Sequence, residues 1–265
     1  MNTHPALAVF LAVLVITAIE CFPRGRILGG RESSGRPYVA SVQVDGIHLC
    51  GALLISEEWL LSAAHCIPTG NHTLRVMMGS NSLKEPSKSK LEYNITTHFI
   101  HPLYNSSLSG HDIVLMKLPN KVPLSDVIKP LPYQTQDVDV AEGTSCLVAG
   151  WGHIKLTGKK TDTLQEVSVP VISREKCNRR DYYDNEITTA MMCAGEKSKD
   201  SCEGDSGGPL VCNGVAEGIV AGGSRKCGNM KRPGIYTRFA VYKDWIQNTI
   251  HNATLKATTA PPVLP

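Results

Sequence analysis

Asp200-Ser-Cys-Glu-Gly-Asp-Ser206-Gly-Gly-Pro209 sets a serine in the middle of a glycine-rich turn. Glycines around it let the backbone bend sharply, so the N–H groups of Gly204 and Ser206 can converge on a developing oxyanion. Losing one such donor typically costs about 10²–10³ in turnover. A serine hydroxyl is a poor nucleophile until a base takes its proton. Leu61-Ser-Ala-Ala-His65-Cys66, at the end of a strand-like run, supplies an imidazole that titrates in the useful range. His111-Asp112-Ile-Val-Leu-Met-Lys-Leu118 sets an acid at the mouth of an apolar strand. A buried carboxylate there would fix the imidazole tautomer and stabilise its cation. Taken singly, each residue is commonplace. Two long motifs and an acid in the order His65, Asp112, Ser206 point to a serine hydrolase.

Around these motifs the chain reads as short β-type runs broken by Gly, Pro, Asn and Ser. They include Val39–Val44, Cys50–Ile55, Trp59–Ser62, Thr73–Met78, Ile113–Leu118, Ser145–Ala149, Gln165–Val171, Leu210–Cys212 and Gly218–Ala221. Many short strands with few helices predict an all-β barrel or sandwich fold. Helices are predicted over Ser173–Asp181, with Ser173 as cap and Glu175 in the first turn, and over Tyr242–Ile250. From residue 251 a flexible tail is expected, Thr-, Ala- and Pro-rich from Ala253 to Pro265.

The 265 residues are 42% hydrophobic and 19% charged, which excludes a disordered, collagen-like or coiled-coil chain. Twenty-seven Lys+Arg against 24 Asp+Glu leave a net charge of only +3, with no basic run, so nucleic acid is not an expected partner. An aromatic share of 6% offers no stacking platform for bases.

Ala6 to Ile19 is one apolar block, short of the ~20 residues that cross a bilayer, and reads as the core of a signal peptide over residues 1–20. A secreted, soluble chain follows as the expectation, with residues 21–26 as a short propeptide and no membrane partner. Secretion makes the cysteines candidates for disulfides. Cys50, Cys66, Cys146, Cys177, Cys193, Cys202, Cys212 and Cys227 form an even set, with Cys21 left over, and spacing alone leaves their pairing open. No CxxC pair occurs and only His65 neighbours a cysteine, so no metal site is predicted. Sequons at Asn71, Asn94, Asn105 and Asn252 are glycosylation candidates expected on exposed loops.

Ile27-Leu-Gly-Gly30, Leu61-Ser-Ala-Ala-His-Cys66 and Gly204-Asp-Ser-Gly-Gly-Pro209 resemble the trypsin/chymotrypsin family of serine proteases over about residues 27–250. The resemblance implies two perpendicular six-stranded β-barrels, a cleft site between them and a final helix against the second barrel. It implies a catalytic triad of His65, Asp112 and Ser206, and an oxyanion hole at Gly204 and Ser206. It implies the pairs Cys50–Cys66, Cys146–Cys212, Cys177–Cys193 and Cys202–Cys227. It also implies activation by another protease cutting Arg26–Ile27, after which the Ile27 ammonium pairs with Asp205. Asp200 would form the base of a specificity pocket for Arg or Lys, with Gly223 and Gly234 keeping its walls open. Pro233 implies no sodium site, the Met78–Lys84 loop no calcium site, and no cofactor is expected.

The family's Ser-Trp-Gly wall is replaced by Ala221-Gly222-Gly223, followed by Ser224-Arg225-Lys226-Cys227. Losing the aromatic removes support for small peptides, and Arg225 is close enough in sequence to compete for Asp200 and self-inhibit the pocket. Pro23-Arg-Gly-Arg-Ile-Leu-Gly-Gly30, Arg36-Pro-Tyr38, Cys177-Asn-Arg-Arg180, Gly223-Ser-Arg225, Cys227-Gly-Asn229 and Pro233-Gly-Ile-Tyr-Thr-Arg238 resemble the complement branch of the family. That implies an alternative-pathway protease, monomeric by default, cutting an Arg-Lys bond in factor B bound to the activated third complement component. The rival is a granzyme or mast-cell type of granule protease, which His101-Pro-Leu-Tyr104 also fits, although Arg26 stands where that group ends its propeptide in Gly-Glu. A catalytically dead binding homologue is the remaining alternative, and this chain keeps all three triad residues.

Overall fold

The computed structural model describes residues 27–106, 110–153, 160–224 and 226–259. The expected leader, propeptide, Cys21 and Arg26, and the proposed inhibitory Arg225, lie outside them.

The first sheet follows the short strand β1 (Arg31–Glu32) and contains β2 (Val39–Val44), β3 (Ile47–Leu54), β4 (Trp59–Ser62), β5 (Leu74–Met78), β6 (Leu91–Asn94), β7 (Thr97–Ile100) and β8 (Val114–Lys117). Its order is β6-β5-β2-β3-β4-β8-β7. The edge strands β6 and β7 are consecutive across Ile95-Thr96, and the sheet curls into a half-barrel. The β2–β3 turn is Asp45-Gly46, both with positive φ, as a two-residue hairpin of primed type requires.

The second sheet contains β9 (Ser145–Gly150), β10 (Gln165–Ile172), β11 (Met191–Ala194), β12 (Pro209–Cys212), β13 (Val215–Gly222) and β14 (Gly234–Arg238). Its order β10-β11-β14-β13-β12-β9 closes through a β10–β9 ladder, with β1 added along β10. The fold is therefore all-β as expected, but only the second unit closes as a six-stranded barrel. Asn213-Gly214, again with both φ positive, turns β12 into β13.

Five strands escaped the sequence reading: β1, β6, β7, β11 and β14. β6 and β7 are edge strands with partly exposed faces, so they lack a strong apolar run. The helix expected over Ser173–Asp181 is confined to α1 (Arg174–Cys177), and the Ser173 side chain makes no capping bond. Asn178 stops it by clamping Ile187, giving its amide to the Ile187 carbonyl and accepting the Ile187 N–H, both at 2.8 Å. The last helix, α2 (Lys243–Thr259), runs past the expected start of the tail. Ile246 joins a core cluster with Leu53 and Leu61 of the first sheet and Ala216 and Ile219 of the second. The helix therefore seals the seam between the sheets instead of packing on the second barrel alone.

Among the described residues four disulfides form: Cys50–Cys66, Cys146–Cys212, Cys177–Cys193 and Cys202–Cys227. Glu166, on β10 and 2% exposed, anchors the start of the chain. Its Oε1 accepts from Arg31 Nε and Nη2 at 3.0 and 2.9 Å, and its Oε2 accepts from Ser33 Oγ and pairs with Arg36 Nη2, both at 2.7 Å. Removing one partner of a buried ion network leaves the others unpaired, although the exposed Arg31 is screened. Glu166→Gln should lower unfolding free energy by roughly 1–3 kcal/mol in urea titrations, and an unchanged midpoint would show the anchor to be inert.

Candidate active site

The serine turn is wedged between the two sheets. The Gly51 N–H of β3 donates to the Ser206 carbonyl at 2.7 Å, while the Gly207 N–H donates to Val220 of β13 at 2.7 Å. A Cβ at Gly207, where φ is +76°, would lie 2.2 Å from Ser62 Oγ and 3.0 Å from Ala63 N. Ser206 is thereby fixed against the segment that leads into His65. The Cys50–Cys66 disulfide, flanked by Gly51 and His65, ties that same corner.

His65 is exposed and Asp112 beneath it is fully buried. The His65 N–H donates to Asp112 Oδ1 at 3.0 Å, and His65 Nδ1 lies 2.7 Å from Asp112 Oδ2. The imidazole is thus held through one nitrogen, which leaves Nε2 for chemistry. His65 Nδ1 or Nε2 and the sulfurs of Cys50 and Cys66 gather within 4.8 Å. Because those sulfurs are bonded to each other, they are not thiolate ligands for a metal.

Asp205 has no exposed surface. Its carboxylate accepts the Gly152 N–H and the Cys202 N–H, each at 2.9 Å. A Cβ on Gly150 or Gly152 would meet that carboxylate at 2.3 or 2.6 Å, so both positions require glycine. Burial pushes Asp205 up to about 6, with the two backbone donors and Lys160 opposing it. Ile27 is also fully buried, in the core of the second barrel.

Gly204 and Ser206 carry the expected oxyanion donors, and neither amide gives its hydrogen to a protein acceptor among the described residues. Gly204 has φ +96° and lies against Gly152. Its carbonyl is held by a residue that the sequence reading passed over. His48 is 6% exposed, and its ring joins Ser41 Oγ at 2.8 Å to the Gly204 carbonyl at 2.9 Å. Burial lowers His48 to about 4, so it stays neutral near pH 7. Its signal was a polar residue on the inward face of a strand.

A cleft of about 480 Å³ runs from Ser206 past Gly222 and Gly223 to Asp200. Asp200 is 2% exposed; its Oδ2 accepts the Gly228 N–H at 2.8 Å, and its Oδ1 ends in no well-formed hydrogen bond. A Cβ at Gly234 would stand 2.9 Å from that oxygen. At the rim, His153 Nδ1 lies 3.5 Å from Glu203 Oε2. Ala221 and Gly222 end β13 with no bulky side chain. Asn71, Asn94, Asn105 and Asn252 are all exposed, but only Asn71 and Asn105 lie in loops as expected; Asn94 ends β6 and Asn252 stands within α2.

The family model described as Trypsin matches residues 27–246. Granzyme M of Rattus norvegicus is 35% identical over 250 residues, covering 92% of this chain and 96% of that protein. Duodenase-1 of Bos taurus is 37% identical over 249 residues, covering 91% and 96%. These similarities favour the granzyme-like alternative over the narrower complement resemblance.

Burial pushes Asp200 up to about 7, more than the backbone donors at Gly228, Ser201 and Gly234 offset. An amidinium ligand needs the ionised form, so benzamidine should bind Ser206→Ala protein about tenfold more weakly at pH 6 than at pH 8. Calorimetric titration checks this, and a pH-independent affinity would show that Asp200 does not titrate across this range.

Proposed function

The chain belongs to the trypsin family of serine proteases, and from that premise we propose a secreted or granule endopeptidase, granzyme-like, that cuts after arginine or lysine. The observation that carries the reading is a buried carboxylate oxygen of Asp200 that ends in no well-formed hydrogen bond, in the cleft that opens at Ser206. A guanidinium or ammonium is the group that such an oxygen favours. Four disulfides support an oxidising, secretory compartment.

In the proposed reaction His65 Nε2 takes the proton of Ser206 Oγ as that oxygen attacks the substrate carbonyl carbon. The carbonyl oxygen becomes an oxyanion, which accepts from the Gly204 and Ser206 amides. Asp112 holds the imidazolium until its proton passes to the leaving amine and the C–N bond breaks. Water, deprotonated by the same imidazole, then attacks the acyl-enzyme, and Ser206 recovers its proton as the acid product leaves.

Cutting at Arg26–Ile27 is proposed as the switch, the new Ile27 ammonium neutralising Asp205. The linkage has a definite sign. With Asp205 raised to about 6 in the folded uncut chain, the unfolded state loses its proton first. Stability should therefore fall as pH rises from about 4 to about 6, by up to roughly 3 kcal/mol. The cut form should lack that loss. Urea midpoints of uncut Arg26→Gln protein and of protein beginning at Ile27 compare the two, and parallel pH profiles would refute the switch.

The second reading is a complement factor D-like protease, supported by Cys177-Asn-Arg-Arg180 and by Gly223-Ser-Arg225. Here Arg225 would hold Asp200 until factor B, bound to the activated third complement component, supplies enough remote binding energy to realign it. Protein beginning at Ile27 should hydrolyse a short arginyl ester briskly and leave factor B whole, free or in that complex. A feeble ester rate with rapid cutting only in the complex would replace the granzyme-like reading with the complement one. Ser206→Ala is expected to abolish whichever of these activities the unsubstituted protein shows.

A further inference from the structure

His111, the residue before Asp112, has its backbone in the left-handed region, with φ at 59°. A side chain disfavours that conformation, and something must hold it there. One hydroxyl does so. The His111 N–H donates to Tyr242 Oη at 3.0 Å, and the same oxygen lies 3.2 Å from His111 Nδ1. A hydroxyl that accepts from an amide still has its own proton to give, so both contacts can be made at once. Tyr242 is 2% exposed, just ahead of α2, and burial keeps its phenol protonated. The His111 ring is fixed on its other side by His101, stacked with centroids 4.8 Å apart at 7°. His101 in turn meets Tyr242 at 5.1 Å and Trp245 at 5.0 Å.

The next residues carry this fixation to Asp112. The Ile113 N–H donates to the His111 carbonyl at 2.8 Å, closing a three-residue turn centred on Asp112. Thr237 Oγ1 holds the Asp112 carbonyl at 3.1 Å. Among the described residues the Asp112 carboxylate is hydrogen-bonded to His65 alone. No third side chain aims the carboxylate, so its direction follows the turn.

We propose that Tyr242 is a positioning residue for the reaction, its hydroxyl acting through His111 to set the turn that aims Asp112 at His65. The inference rests on the reading of Asp112 as the acid of the catalytic set. In protein beginning at Ile27, Tyr242→Phe keeps the ring packing and removes only the hydroxyl. It should lower kcat about tenfold with KM within about twofold, and should move or broaden the far-downfield NMR resonance of the His65 Nδ1 proton. His111→Ala should show the same loss. His111→Asn, which tolerates the left-handed backbone and offers an acceptor to the hydroxyl, should restore most of it.

Wild-type kcat with an unmoved resonance in Tyr242→Phe would overturn the proposal, as would a loss wholly in KM. Should Tyr242→Phe fail to fold, equal rates in His111→Ala and His111→Asn would overturn it. If the wild-type protein cuts no peptide or ester, the proposed function fails. The resonance, which needs no turnover, then still decides whether Tyr242 holds the Asp112–His65 pair.

Discussion

A carboxylate with no exposed surface must be satisfied where it stands, and much of the site is arranged around Asp205. Two backbone amides, from Gly152 and Cys202, reach it. Gly150 and Gly152 make room for it, and the turn that carries Ser206 begins at its Cα. Two amide bonds do not cancel the cost of burying a charge, which is several kcal/mol for an ion left unpaired. The rise of Asp205 to about 6 expresses that shortfall. In the proposed mechanism the missing partner is a terminal ammonium, so the geometry of the oxyanion donors would answer to a cut made elsewhere in the chain.

The second constraint is the seam between the sheets. Ser206 is bonded through its carbonyl to β3 of the first sheet, and Gly207 through its amide to β13 of the second. Asp112 stands two residues before β8, yet its carbonyl is held by Thr237 of β14 and its preceding residue by Tyr242. The Ser206 turn and Asp112 are thus each attached to one sheet and braced by the other. Helix α2 packs over this seam with Ile246 in the shared cluster, which gives a helix remote from the cleft a part in holding it.

Much of this was legible before any coordinates. Asp45-Gly46 and Asn213-Gly214 between apolar runs mark hairpins because both residues of such turns need positive φ. Inner strands such as Val39–Val44 and Trp59–Ser62 show themselves as largely apolar runs because both their faces are buried. Edge strands β6 and β7 do not, since half or more of their side chains face solvent. The stop at Cys177 was hidden as well. It depends on Asn178 meeting Ile187, a contact between a side chain and a backbone brought together by the loop.

His65, Asp112 and Ser206 were named from residue type, order and local glycine content, because nucleophile and base chemistry depend on identities that the chain spells out; Asp200 was named through the family resemblance. Family membership followed from the same stretches. What only the tertiary structure decided is which groups those residues meet. His48 reaches the carbonyl of Gly204 across 156 positions, and Tyr242 reaches His111 across 131. No local period or spacing encodes such a contact, because it exists only once two sheets have closed on each other and the buried polar groups at their seam have had to find partners.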